Sequence, residues 1–204
     1  MEFKEKKLTR SEIKRASILD AAMEEFQHKG FKATSMDDIA LHASVSKRTV
    51  YNHFPSKETL FHAITTRMLM LFYTEETIVF SDVMPLEEQL IELAENEIKL
   101  LTLPTFIAMA KVIFAESIHS PHLVQNAVKE FDEKGSPLIS WFEAAAKQGA
   151  IKTQVPQQVA MQFVSVIKGF CFWPQIVKNA PAPDTQQRQL VINMAVQMIM
   201  KQYT

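Results

Sequence analysis

The stretch GFKATSMDDIALHASVSKRTVYNHFPSKE, residues 30–58, decides the fold of this chain. Ser35 with Asp38 three residues on gives a helix start, because the serine side chain can accept from a backbone N–H that the first turn leaves unpaired. Met36, Ile39, Ala40 and Ala43 then supply the inward side of a two-turn helix. After the link Ala43-Ser44-Val45, Ser46 caps a further helix running to about His53, which Pro55 stops. At about 100° per residue, Val50 and Phe54 share one side of it while Arg48, Thr49, Tyr51 and Asn52 take the opposite half. Two short helices joined by a tight turn outline a helix-turn-helix. The outward face sharpens that outline. Arginine suits the O6/N7 edge of guanine and asparagine the N6/N7 edge of adenine, so Arg48 and Asn52, four apart, are placed to read neighbouring base pairs. Lys47 and Arg48 lie in the first turn, the part of such a helix that reaches bases.

Upstream, Thr9 and Glu12 form a capping-box pattern, and Ile13, Ile18, Ala22 and Phe26 recur at helical spacing until Gly30. Downstream, Ser56 caps a longer helix carrying Leu60, Phe61, Ile64, Met68 and Leu71. A domain of residues 10–65, with its motif at about 34–53, therefore precedes a larger region, residues 66–204, and the boundary falls inside this helix. Thr34, Ser35, Tyr51, His53 and Lys57 surround the outward face as candidate phosphate donors, which fix position on a duplex without naming a sequence. Under that expectation, loss of Lys57 weakens binding to all sequences alike and lowers the salt slope by about one ion.

Residues 30–40 and 45–58, with Ile18-Leu19-Asp20-Ala21-Ala22 and Phe26 before them, resemble the TetR/AcrR repressor family. The likeness is close over residues 10–65. Residues 106–123 and 137–151 resemble, more loosely, the C-terminal domain of its AefR-like subgroup. Ser44 departs from the pattern, since the family usually has glycine in this turn, and a serine at positive φ costs about 1 kcal/mol or more. The resemblance implies a homodimer whose two heads enter successive major grooves of a palindromic operator, released when the C-terminal domain binds a small effector.

The region after Pro85 reads as helix after helix, punctuated by prolines and Gly149, with no strand alternation. The expected architecture is all-α, a three-helix DNA-binding domain plus a larger helical domain for effector and dimerisation, about nine helices in all. Residues 159–173 and 190–200 are its most apolar segments. Val159, Phe163, Val166 and Gly169 on one, and Val191, Met194 and Met198 on the other, are the candidate dimer interface, with Gly169 admitting a close second backbone. Phe106, Met109, Phe114, Trp141, Phe142, Phe170 and Trp173 are candidate linings of a hydrophobic effector pocket. Glu116 and Glu143 are the acids considered as partners for a cationic ligand.

Composition sets the outer limits. The chain has 204 residues at 23.3 kDa, 47% hydrophobic and 22% charged, with 4 Gly against 11 Met, which disfavours disorder and turn-rich β structure. Residues 1–60 hold 11 Lys or Arg against 9 Asp or Glu, while residues 61–204 hold 11 against 14, so any pull on nucleic acid comes from a local basic face. The lysine-rich start has no apolar run behind it, and no apolar stretch reaches the roughly 20 residues of a membrane span, so the cytoplasm is the expected location. Six His and one Cys bring no catalytic order, metal-spaced pair or phosphate-cradling loop. Neither an enzyme nor any metal or cofactor is expected, and Cys171 reads as a packing thiol. The alternative function is a DNA-binding factor of the same fold whose C-terminal domain takes a protein partner, as in nucleoid-occlusion-type factors.

Overall fold

The computed structural model describes residues 9–73 and 78–204. Eleven helices and no strand occur among the described residues: α1 Arg10–Lys29, α2 Met36–His42, α3 Lys47–His53, α4 Lys57–Met70, α5 Leu86–Leu101, α6 Pro104–His119, α7 His122–Lys134, α8 Pro137–Lys147, α9 Pro156–Cys171, α10 Trp173–Val177 and α11 Thr185–Tyr203. The expected count of about nine is exceeded because the chain breaks at Ser120-Pro121 and again after Cys171, leaving α7 and the five-residue α10 as separate helices. No helix among them is long and apolar enough to cross a membrane.

Two units divide the chain, one holding residues up to Arg67 with Lys111–Ala127, the other Met68–Ala110 with Val128–Thr204. Helices α4, α6 and α7 each contribute residues to both. In the first unit α1 starts with the full capping box, the Thr9 hydroxyl accepting from the Glu12 N–H at 3.2 Å and the Glu12 carboxylate accepting from the Thr9 N–H at 2.7 Å. Ile18, Ala22 and Phe26 are buried, whereas Ile13, one turn from the helix start, is 54% exposed: its spacing is right but no described residue buries it. Phe26, Phe31 and Phe61 meet with centroids 5.1–6.2 Å apart, joining α1 and α4.

In the second unit α9 packs against α8, α11 and α5, and α11 also packs against α5. Trp141, Phe142 and Phe163 form a contiguous aromatic core, centroids 5.1 and 5.5 Å apart. Gln89 is buried yet satisfied: its amide donates to the carbonyls of Ser81 and Met84 and its oxygen accepts the Ser81 N–H, each at 2.8 Å, which ties the preceding loop to α5.

Candidate DNA-binding interface and ligand cavity

Helices α2 and α3 are short, and side chains at their ends hold them. The Ser35 hydroxyl donates to Asp38 Oδ2 at 2.6 Å and accepts the Asp38 N–H at 3.1 Å, while the same carboxylate accepts the Ser35 N–H at 3.0 Å. Those bonds, with Lys29 at 3.3 Å, hold the Asp38 carboxyl down at about 2, the Ser35 hydroxyl being the largest influence. Ser46 caps α3 through the Thr49 N–H at 3.2 Å, and the two hydroxyls share a 2.8 Å bond. The turn between the helices takes Ser44 to φ 53°, the left-handed conformation that glycine adopts freely. His42 sits between Glu24 (3.0 Å) and Glu25 (3.1 Å), fastening α2 to α1.

Val50 and Phe54 are buried, and the Arg15 guanidinium lies 4.8 Å from the Phe54 ring centre. The opposite side of α3 therefore faces outward. Lys47, Arg48, Tyr51 and Asn52 are exposed; Thr49 and His53 are half-buried. Lys47 pairs with Asp37, whereas the Arg48 and Asn52 side chains form no hydrogen bond or ion pair with another described residue. One face thus offers a guanidinium and a carboxamide, neither spent inside the fold, one helical turn apart.

Two expected phosphate donors are corrected by the structure. Thr34 is buried, its hydroxyl donating to the carbonyls of Glu25 at 3.1 Å and Gly30 at 2.9 Å. The Lys57 ammonium donates to the carbonyls of Phe31 (2.6 Å), Thr34 (2.8 Å) and Lys32 (3.1 Å) and lies 4.6 Å from the Phe31 ring centre. Both close the loop between α1 and α2, where carbonyls without helical partners need donors. Ser35 and Ser46 are exposed, with their hydroxyls engaged in capping.

The second unit holds a cavity of about 150 Å³. Leu71, Phe72, Ile78, Leu93, Leu103 and Leu138 give it apolar walls, with Asn96, Glu97, Lys99 and Ser136 as polar members. None of the seven aromatic and methionine positions expected to line a pocket borders it. Phe106, Met109, Trp141 and Phe142 are buried in packing, while Phe114, Phe170 and Trp173 are exposed. Phe106 stands one layer behind the wall, its centroid 5.7 Å from that of Phe72. Nor do Glu116 or Glu143 border it: Glu116 accepts the Ser120 hydroxyl at 2.6 Å and Glu143 the Gln157 amide at 2.5 Å.

Glu97 is the acid that sequence reading missed. Burial pushes its carboxyl above the ordinary carboxylate range, against the opposing charge of Lys168, and its Oε2, out of contact with solvent, has no hydrogen-bond partner among the described residues. A signal existed, since its neighbours at three and four residues either side, Leu93, Ala94, Leu100 and Leu101, are all apolar.

Of the seven candidate interface residues, Val159, Phe163 and Val191 are buried within the second unit, a correction to their reading as contact surface, because a helical stripe packed on α5 and α8 looks the same in sequence as one packed on a second chain. Val166 and Met198 are half-buried, and Gly169 and Met194 are exposed. A Cβ on Gly169 would meet nothing within 4 Å. Met161 (53%), Phe170 (55%) and Leu190 (61%) add large exposed apolar side chains to α9 and α11. Among the described residues no group of three His, Cys, Asp or Glu side chains is placed to hold a metal.

Residues 18–64 match the family of bacterial regulatory proteins called tetR, and residues 88–204 match the AefR-like transcriptional repressor C-terminal domain. The crystal structure of a TetR family transcriptional regulator from Pseudomonas syringae pv. tomato is 38% identical, covers 96% of this chain and 98% of its own, and superposes with a TM-score of 0.83. The flavonoid-responsive regulator FrrA is 27% identical over 94% of this chain and 97% of its own, with a TM-score of 0.75. The uncharacterized transcriptional regulator YvkB of Bacillus subtilis is 26% identical, covering 75% of this chain and 78% of its own. A reading head whose polar face stands on buried Val50 and Phe54, joined to a helical domain of the AefR-like kind, makes this chain a member of the TetR family, a DNA-binding transcriptional regulator.

Proposed function

We propose that the protein acts as a homodimeric repressor that binds a palindromic operator through α3 and leaves it when a small hydrophobic effector enters the second unit. The observation that carries this is the face of α3: Arg48 and Asn52 are outward and uncommitted while Val50 and Phe54 are inward. A base-reading arginine and asparagine need that freedom, since each must present its donor fork to a base edge. Tyr51, His53 and Lys47 are the flanking backbone contacts in this reading, with Thr49 and the capping serines setting the helix at the groove. The exposed Met161, Phe170, Leu190 and Met194 on α9 and α11 support self-association, because apolar surface of this kind gains by burial against a second copy. The apolar cavity supports an effector, and the flavonoid response of FrrA is a precedent for a small-molecule signal in a regulator of similar structure.

Footprinting of the DNA upstream of the protein's own gene supplies the operator. On that operator Arg48→Ala costs about 1 to 3 kcal/mol of binding and on random DNA almost nothing. Equal losses on both would make Arg48 a backbone contact and remove the base-reading role.

A further inference from the structure

Residues 9–67 hold nine lysines and arginines, and the fold commits four of them. Lys29 pairs with Glu25 and Asp38, Lys47 with Asp37 and Arg67 with Asp20, at 2.5–3.3 Å, while the Lys57 ammonium is spent on the carbonyls of Phe31, Lys32 and Thr34. Arg10, Lys14, Arg15, Lys32 and Arg48 remain, and three of these five stand together in the first two turns of α1. A chain close to neutral as a whole attracts a duplex only through such a local excess of positive charge.

Residues 9–16 are all exposed, and burial on α1 begins at Ile18. Arg10 and Lys14 lie one turn apart on one side, and their side chains form no hydrogen bond or ion pair with another described residue. Glu12, the one acid of this stretch, is on the opposite side at about 100° per residue, and its carboxylate is spent on the Thr9 N–H. Two contacts turn the basic side toward the helix-turn-helix. Lys14 shares its stripe with Ile18, Ala21 and Glu25, and Glu25 holds His42 of α2 at 3.1 Å. The Arg15 guanidinium lies 4.8 Å from the ring centre of Phe54, the residue that ends α3, and its N–H groups donate to no described residue. The ring fixes the guanidinium beside α3 and leaves its donors open, and a planar guanidinium fork matches the oxygens of a phosphate.

We propose that the first two turns of α1 form a second DNA-contacting surface, on which Arg10, Lys14 and Arg15 hold backbone phosphates flanking the groove that α3 enters. The inference rests on the reading of α3 as the base-reading helix and extends it to the phosphates beside it. It supplies the backbone anchors that Thr34 and Lys57, closed into their loop, do not. Phosphate contacts set position and affinity without selecting sequence, so their loss falls equally on cognate and random duplexes.

Arg10→Gln/Lys14→Gln tests it on the full-length protein, by fluorescence anisotropy with the footprinted operator and with a mixed-sequence duplex, each over a range of potassium chloride. Both side chains lack partners in the fold, so the melting of the variant stays that of the parent. It weakens both duplexes by the same factor, about tenfold or more at low salt, and lowers the slope of log K against log salt by about 1.8 per head, about 0.9 for each contact. Adding Arg15→Gln lowers the slope by about 0.9 more per head, and the double variant suffices if the loss of the ring contact unfolds the triple one. Lys147→Gln/Lys201→Gln removes the same charge from exposed positions of the second unit and leaves the slope nearly unchanged. An unchanged slope in the α1 variant, a loss confined to the operator, or an equal fall in the second-unit control overturns the proposal. Arg48→Ala, measured alongside, separates it from the reading of α3. An operator-only loss in Arg48→Ala with an unchanged slope in the α1 variant overturns the α1 surface alone, whereas equal losses on both duplexes in Arg48→Ala beside a lowered slope in the α1 variant uphold the α1 surface and overturn base reading by Arg48.

Discussion

Replacing Lys57 by methionine separates two roles that a lysine beside a helix-turn-helix can play. The side chain stays unbranched, one atom shorter, and loses its charge, so the carbonyls of Phe31, Lys32 and Thr34 lose their donor and the Phe31 ring loses its cation. Deleting a hydrogen bond to a charged group costs roughly 1.5–3 kcal/mol, and a cation over a ring at a partly exposed site contributes about 0.5–1 kcal/mol. One ammonium shared among three acceptors cannot deliver three full bonds, so about 3 kcal/mol is the expected total loss. For a chain of this size each kcal/mol lowers the midpoint by about 2–4 °C, giving a fall of roughly 10 °C in the melting of the N-terminal helices, followed by circular dichroism or by exchange of their amides. The operator assay is the counterpart. A lysine on a phosphate contributes about 0.9 to the slope of log K against log salt, so a lysine committed to carbonyls leaves that slope unchanged. A variant with unaltered melting and a slope lowered by about one would show that the ammonium leaves the loop for DNA, and the structural reading of Lys57 would fail.

Asp38 makes the N-terminal unit sensitive to acid. Its carboxyl is lowered from 3.8 to about 2, chiefly by Ser35, so it stabilises the folded chain above 3.8 and loses that contribution as pH falls toward about 2. A carbon-detected titration should place its midpoint near 2, and Asp38→Asn should be less stable at neutral pH but level with the parent at the acid end; a midpoint at 3.8 would contradict the capping bonds. Ser44→Gly removes the cost of a left-handed serine, about 1–2 kcal/mol, and adds roughly 0.5–1 kcal/mol of backbone freedom to the unfolded chain, so a gain of about 0.5 kcal/mol is expected in the urea midpoint. A loss there would mean that the serine side chain stabilises the turn. Cys171 is buried and burial pushes its thiol upward, so a thiol reagent at mildly alkaline pH should leave the native protein unlabelled and label it in denaturant, and fast labelling of the folded chain would refute its packing role.

Backbone punctuation was legible because caps follow local rules. Thr9, Ser35 and Ser46 each bond the N–H that their spacing assigns them, and Ser44 takes the positive φ its turn position requires. Targets of longer side chains were not. Thr34 and Lys57 carry the donors a phosphate would need, but residue type counts donors without saying which acceptor is nearer, and here the carbonyls of the α1–α2 loop are. The same degeneracy hides the difference between core and contact surface on α9 and α11. Val159 and Phe163 are buried, Phe163 with its ring 5.5 Å from that of Phe142 on α8, while Met161 and Phe170, on the same helix and equally apolar, are exposed. The third failure, the cavity, came from weighting aromatic content: large flat side chains fill space well, so most of those expected to surround a void are packed into the core instead.

Two glutamates show how the residue four positions on decides whether an acid among apolar neighbours is satisfied. Glu97 and Glu116 both occupy helices among apolar neighbours, and each has a residue four positions on that lies over the same face. For Glu116 that residue is Ser120, just past the end of α6, whose hydroxyl donates at 2.6 Å, so the buried acid is satisfied locally and its role ends there. For Glu97 it is Leu101, which offers no donor, and no other described residue supplies one to Oε2. A hydroxyl at that position would be a single, local and inexpensive remedy of the kind found one helix later in the same chain. The unpaired oxygen of Glu97 is therefore a local cost that its own helix leaves in place, one that a hydroxyl four residues on removes for Glu116.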